Sequence, residues 1–124
     1  MDIAERKVIL MARLFNNSKN ALVVHLSGEI DQCAANEIKD SIDIEILNST
    51  KKNIIFNLEK VTLMDSSGIG LIVGRYKTAK NLGGTLVMCN ATPGVRKMID
   101  LSGIGKVITM YDTLNDADNA LKYS

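Results

Sequence analysis

Residues Leu63-Met64-Asp65-Ser66-Ser67-Gly68-Ile69-Gly70 set two hydroxyls between an acid and two glycines, where an apolar run gives way to helical spacing. The next residues, Leu71-Ile72-Val73-Gly74-Arg75-Tyr76-Lys77, carry apolar side chains at the interval of a helix face. A serine at such a strand-to-helix turn lies near the first unpaired N–H groups of the helix, where the dipole and the free amides favour negative charge. Two roles fit Ser66: a helix cap, or an acceptor for phosphate that switches the local charge. Ser67 is an alternative cap, and three residues beyond Ser66 stands Ile69 rather than the Glu or Gln of a capping box.

Other chemistries find little support. A hydrolase nucleophile would want glycine where Met64 stands. The single histidine, His25, falls within a predicted strand, where packing or surface roles are commoner than general-base work. Gly68-Ile69-Gly70-Leu71-Ile72-Val73-Gly74 sets its last glycine one residue too far for a dinucleotide fingerprint, and Met88-Cys89-Asn90 lacks the acid that would hold a ribose. Those glycines read instead as close packing of a helix on a sheet. Carboxylates are scattered without His–Glu ligand spacing, and Cys33 and Cys89 stand alone, so free thiols are expected rather than zinc or a disulfide. No cofactor, no metal and no catalytic group are expected.

A chain of 124 residues, 46% apolar, is long enough for one domain with a real core. Its formal net charge of +1 offers no basic field for nucleic acid, and with few aromatics and no Trp it offers no base-stacking surface. The longest apolar runs, such as Ala21 to Leu26, are of strand length and too short to span a bilayer. Met1-Asp2-Ile3-Ala4-Glu5-Arg6-Lys7 makes a poor secretory signal, so a reducing cytoplasm is the expected setting, with no membrane partner.

The elements that must position Ser66 follow from periodicity. Lys7–Phe15 and Ala21–Leu26 are β-prone, with the turn cluster Asn16-Asn17-Ser18-Lys19-Asn20 between them, which predicts a hairpin. Ser27-Gly28-Glu29-Ile30-Asp31 breaks the strand, and Asp31 caps a helix carrying Ala35, Ile38, Ile42 and Ile46 inward. Asn53–Leu58 is a strand with the run expected when both faces are covered. A helix runs from Ser66 to Asn81 with Ile69, Ile72, Val73, Tyr76 and Ala79 inward, stopped by Gly83-Gly84. Thr85–Cys89 is a strand, and Thr92-Pro93 opens a helix with Val95, Met98 and Ile99 inward, closed by Gly103. Lys106–Met110 is the last strand, and Asp112 or Thr113 caps a last helix through Ala117, Ala120 and Leu121. The order β-β-α-β-α-β-α-β-α predicts a single α/β domain over residues 1–124, with a mixed, mostly parallel sheet and an antiparallel hairpin at its start.

Together these residues resemble the anti-sigma factor antagonists of the STAS fold. The resemblance rests on Leu26-Ser27-Gly28-Glu29-Ile30-Asp31, Asn57-Leu58, Met64 to Gly70, Gly74-Arg75-Tyr76-Lys77, Gly83-Gly84, Val87, Val95 and Asp100-Leu101-Ser102-Gly103. It covers about residues 20–122 and is strongest toward the sporulation type, the antagonists of the anti-sigma F factor. Two departures stand out: Gln32-Cys33-Ala34-Ala35 replaces the paired histidines and Thr-Ala common after Asp31, and residues 1–10 form a candidate N-terminal extension before Met11.

The resemblance implies a cytosolic binding protein rather than an enzyme. In its unphosphorylated form such a protein binds an anti-sigma factor that is also a serine kinase, and the sigma factor is released. The kinase phosphorylates the first serine of the signature, here Ser66, and a serine phosphatase reverses the reaction. The partner-binding residues implied are Glu29, Asp31, Asp65, Ser66, Ser67, Gly68, Ile69, Gly70 and Arg75. Asp65 and Ser67 would shape the turn, Gly68 and Gly70 admit the partner's backbone, Ile69 offer an apolar contact and Arg75 meet a partner carboxylate. A general stress-response STAS regulator and a small-molecule or nucleotide-sensing STAS domain are the alternatives.

Overall fold

The computed structural model describes residues 2–3 and 14–123. Strands β1 (Phe15–Asn17) and β2 (Leu22–Ile30) form an antiparallel hairpin closed by the Ser18 N–H donating to the Ala21 carbonyl. Strands β3 (Ile54–Met64), β4 (Leu86–Cys89) and β5 (Met110–Tyr111) add in parallel, giving the sheet order β1-β2-β3-β4-β5. Between them lie helices α1 (Gln32–Asn48), α2 (Ser66–Asn81) and α3 (Pro93–Ser102), then a 3-10 turn (Ile104–Lys106), and last α4 (Leu114–Ala120). The element order is the expected one.

Alternation along the strands divides the core in two. Leu22, Val24, Leu26, Phe56, Leu58 and Met88 face one way and pack with Ile42 and Ile46 of α1, Leu71 and Ile72 of α2, and Val95 and Ile99 of α3. Val23, Ile55, Val87 and Cys89 face the other way and pack with Ala117 and Leu114 of α4 and with Leu121 just beyond it. Among the described residues, one face of the sheet is therefore covered by three helices and the other by one short helix. Thr113, rather than Asp112, caps that helix, accepting from the Asp116 N–H.

Four strands differ from expectation in their boundaries. Most of the strand expected over Lys7–Phe15 lies outside the described residues, and Asn16 and Asn17, read as turn, belong to β1. Strand β2 does not break at Ser27 but runs to Ile30, Gly28 taking φ +75° to allow it. Strand β3 does not stop at Leu58 but continues to Met64, directly into the signature. Its buried positions there are Val61 and Met64, three apart, because two register shifts against β2 each insert a residue into β3. The period of two is lost, and with it the sequence signal for a strand. Near the C-terminus Lys106 lies in the 3-10 turn, and the last strand is only Met110–Tyr111.

Candidate functional site

The parallel strands β2 and β3 end side by side, with Ile30 in register with Met64 and the Asp65 N–H reaching the Ile30 carbonyl at 3.4 Å. Each strand hands over at once to a helix, and each helix is capped by an aspartate. Asp31 Oδ1 accepts from the Ala34 N–H at 2.9 Å at the start of α1. Asp65 Oδ1 accepts from the Ser67 N–H at 2.8 Å at the start of α2. The two caps thus sit on one rim, with exposed Glu29 just behind them on β2.

Neither serine is the cap. Ser66 is the first helical residue and is exposed, and no hydrogen bond engages its hydroxyl among the described residues. Ser67 is half-buried and offers its N–H to Asp65. The capping role read for either serine falls to Asp65, whose extended backbone (φ −104°, ψ −169°) and short carboxylate suit it.

Of the other expected residues, Gly70 is exposed and a Cβ there would meet open space, as would one at Gly74. Gly68 differs. It is buried, and a Cβ would collide with the Met64 side chain and stand 3.1 Å from Ile30 Cγ2. Its glycine is required by the approach of α2 to β2 and β3, so it cannot admit a partner's backbone. Ile69 is half-buried against the core rather than free.

Arg75 also departs from expectation. It is 7% exposed, and its Nε lies 2.8 Å from Asp43 Oδ1 of α1. This is an ionic contact whose angles do not complete a hydrogen bond, and neither atom finds another partner among the described residues. Arg75 therefore clamps α1 to α2 instead of presenting its charge outward. It forms part of the floor of a shallow groove of about 380 Å3 between the helices, with Asn36, Lys39, Ser67, Gly70 and Gly74 along its sides.

Leu63 and Leu101 are features that the periodicity hid, at 60% and 77% exposed. With Met98 and Val95 they border a small hollow of about 260 Å3 next to the rim. The signal in the sequence was Leu63 itself, an apolar residue one step before Met64 in a strand already showing Met64 inward. Among the described residues no His, Cys, Asp and Glu group could hold a metal ion. No helix there is long and apolar enough to cross a membrane.

Residues 14–117 match the STAS domain family. The chain belongs to that family. This STAS domain is 35% identical over 94 residues to the anti-sigma F factor antagonist of Paenibacillus polymyxa, covering 76% of this chain and 80% of that protein. It is similar to the solved unphosphorylated form of the anti-sigma factor antagonist SpoIIAA, with a TM-score of 0.72 at 30% identity over 86% of this chain and 93% of that one. The phosphorylated form of the Bacillus cell-fate determinant SpoIIAA superposes with a TM-score of 0.66 at 29% identity, covering 87% and 97%.

Proposed function

We propose that this STAS domain is an anti-sigma factor antagonist of the sporulation type, a binding protein controlled by phosphorylation of Ser66. Unphosphorylated, it docks on an anti-sigma factor serine kinase through the rim formed by Glu29, Asp31, Asp65, Ser66, Ser67 and Gly70, with Ile69 half-buried beneath it. Gly68 and Arg75 act from inside, by seating α2. The bound kinase gives up its sigma factor, transfers the γ-phosphoryl of ATP to the Ser66 oxygen, and releases the product. A serine phosphatase restores the hydroxyl.

The observation that carries this reading is the exposed, unbonded Ser66 hydroxyl beside an aspartate that already does the capping. A phosphate there adds about −1.5 to −2 charges to a rim that already bears Glu29, Asp31 and Asp65. The helix dipole favours that charge by roughly 0.3–1 kcal/mol, and the neighbouring carboxylates oppose it, so the fold is expected to stand while the docking surface becomes more negative and changes shape. The relative solved in both named forms keeps a related fold in each.

The test is phosphorylation by the cognate kinase followed by mass spectrometry, alongside binding of two variants. Phosphate is expected on Ser66 alone. Ser66→Ala should bind the kinase persistently and Ser66→Asp poorly. Modification at another residue, or equal binding by both variants, removes the switch.

A further inference from the structure

Away from the rim, on the sheet face that α4 leaves partly uncovered, a single hydrogen-bonded row of side chains crosses four strands. Asn90, just past β4, donates from Nδ2 to Asn57 Oδ1 at 3.2 Å, and holds φ +60° to do so. The same Oδ1 accepts from the backbone N–H of Glu59 at 3.1 Å. That backbone donor fixes the orientation of the Asn57 amide. Its Nδ2 therefore points at His25 Nδ1, 3.1 Å away, and His25 Nδ1 must accept. The ring proton then sits on Nε2, which donates to Asn16 Oδ1 at 2.8 Å. Asn16 would accept from Nε2 in either charge state, but the Asn57 NH2 group tolerates only an unprotonated Nδ1, so the row as a whole selects the neutral Nε2–H form of the histidine.

The row sits at a mechanical junction. His25 is the last residue of β2 in simple register with β3, opposite Asn57. Beyond it β2 advances from His25 to Ile30 while β3 advances from Asn57 to Met64, two residues farther. The first inserted residue lies within the turn that the Asn57 side chain closes on the Glu59 N–H. This bulge and the next set how far β3 extends, and so where Asp65 and Ser66 stand relative to Glu29 and Asp31.

We infer that His25 is a positioning residue for the docking rim, holding the β3 bulge in register through Asn57 only while its ring is neutral. The functional weight of this rests on the proposed role of the rim. A second proton at Nδ1 would face the Asn57 NH2 group, donor against donor. Turning the amide to relieve that would set NH2 against both the Glu59 N–H and the Asn90 NH2. One proton thus releases the bulge. Burial and the nearby Lys60 both disfavour the cation, against a smaller opposing effect of Glu59. Among the described residues these two from β3 are the charged neighbours of the ring, with Asn16 facing it from β1 and Leu114 from α4.

The experiment is an NMR titration of the whole chain, without partner, between about pH 5.5 and 7.5, where the one histidine titrates apart from the carboxylates. The ring carbons of His25 and the amides of Glu29, Asp31 and Asp65–Ile69 are followed together. Rim amides that shift with the midpoint of the ring, below its ordinary value of 6.5, support the inference. Rim amides that stay fixed while the ring titrates overturn it. His25→Gln, which restores an acceptor without a titrating proton, is expected to keep the neutral-form rim spectrum throughout. His25→Leu is expected to show the acid-form rim shifts already at neutral pH, and a rim spectrum like that of the unaltered chain would also overturn the inference. The phosphorylation switch fails in a different assay, the site mapping of Ser66, so the two failures are told apart.

Discussion

Three glycines share one helix face or its flank, and substitution by alanine is expected to separate their roles. In a helix interior Gly→Ala is worth about 1 kcal/mol in favour of alanine. At Gly74 a Cβ meets nothing within 4 Å, so Gly74→Ala should realise most of that gain, and Gly70→Ala should behave alike. For a domain of 124 residues 1 kcal/mol corresponds to a rise in Tm of about 3–6 °C. At Gly68 the same gain is opposed by forcing a methyl group against Met64 and within 3.1 Å of both Ile30 Cγ2 and the Ile30 carbonyl oxygen. Overpacking of this kind costs about 1–3 kcal/mol, so Gly68→Ala should leave stability between unchanged and about 2 kcal/mol lower. The assay is thermal and urea denaturation of the three variants side by side, followed by titration with the proposed kinase partner. The two stabilised variants should bind it more weakly, tenfold for a loss of about 1.4 kcal/mol, because nothing among the described residues explains glycine at those positions. A Gly68→Ala protein as stable as Gly74→Ala would refute the close approach of α2 to the strands. Undiminished binding by Gly70→Ala and Gly74→Ala would refute a partner surface pressed against this helix.

Other outcomes follow from named contacts. Asp65→Ala should lower stability by about 1 kcal/mol through loss of the cap, with Asp65→Asn largely restoring it, whereas Ser66→Ala should change Tm little; denaturant midpoints decide. The Asp43–Arg75 contact joins an arginine 8% exposed in its side chain to an aspartate 34% exposed. Removing the aspartate strands the more buried charge, so Asp43→Ala should be costlier, at about 2–3 kcal/mol, than Arg75→Met at about 1 kcal/mol, as measured by urea unfolding. Burial pushes the Cys89 thiol up to about 12 while Cys33 is exposed. A thiol reagent near neutral pH should therefore label one cysteine of the native chain and two after unfolding. With the folded-state pKa of His25 depressed, the unfolded chain takes up its proton first. Its contribution to stability is full above 6.5 and declines as pH falls below that value. The unfolding midpoint of the unaltered chain should therefore fall relative to that of His25→Gln as pH drops below 6.5, with a constant difference above it.

Much of the fold is legible because its signals are local. Helix α2 begins and ends where Asp65, Ser66 and Gly83 say it should, and Asp31 caps α1 as its spacing before Ala35 requires. What escapes is what depends on pairing. The end of β3 is hidden because two bulges replace alternation by buried Val61 and Met64 with Glu59, Lys60, Thr62 and Leu63 outside. The inward turn of Arg75 depends on Asp43, thirty-two residues earlier on another helix, which no window along the chain connects to it. Gly68 and Gly70 look alike in sequence, and only the nearness of Met64 and Ile30 distinguishes them. His25 reads as an ordinary strand residue until Asn16, Asn57 and Asn90 line up beside it.

The division of labour between Asp65 and Ser66 has a physical logic for a reversible switch. A serine that capped the helix with its own oxygen would lose that bond's geometry on esterification, so each modification would also unseat the helix start. Here the cap bond belongs to Asp65, at 2.8 Å to the Ser67 N–H, and the Ser66 oxygen is left outside the hydrogen-bonding of the turn. Gly68 then lets α2 sit close on Met64 and Ile30, and Arg75 ties its middle to α1. The turn is held from below and behind by contacts that do not involve the hydroxyl. Under the proposed switch, charge would then be added or removed at Ser66 with the scaffold unchanged, and the free energy of the modification would fall on the docked partner.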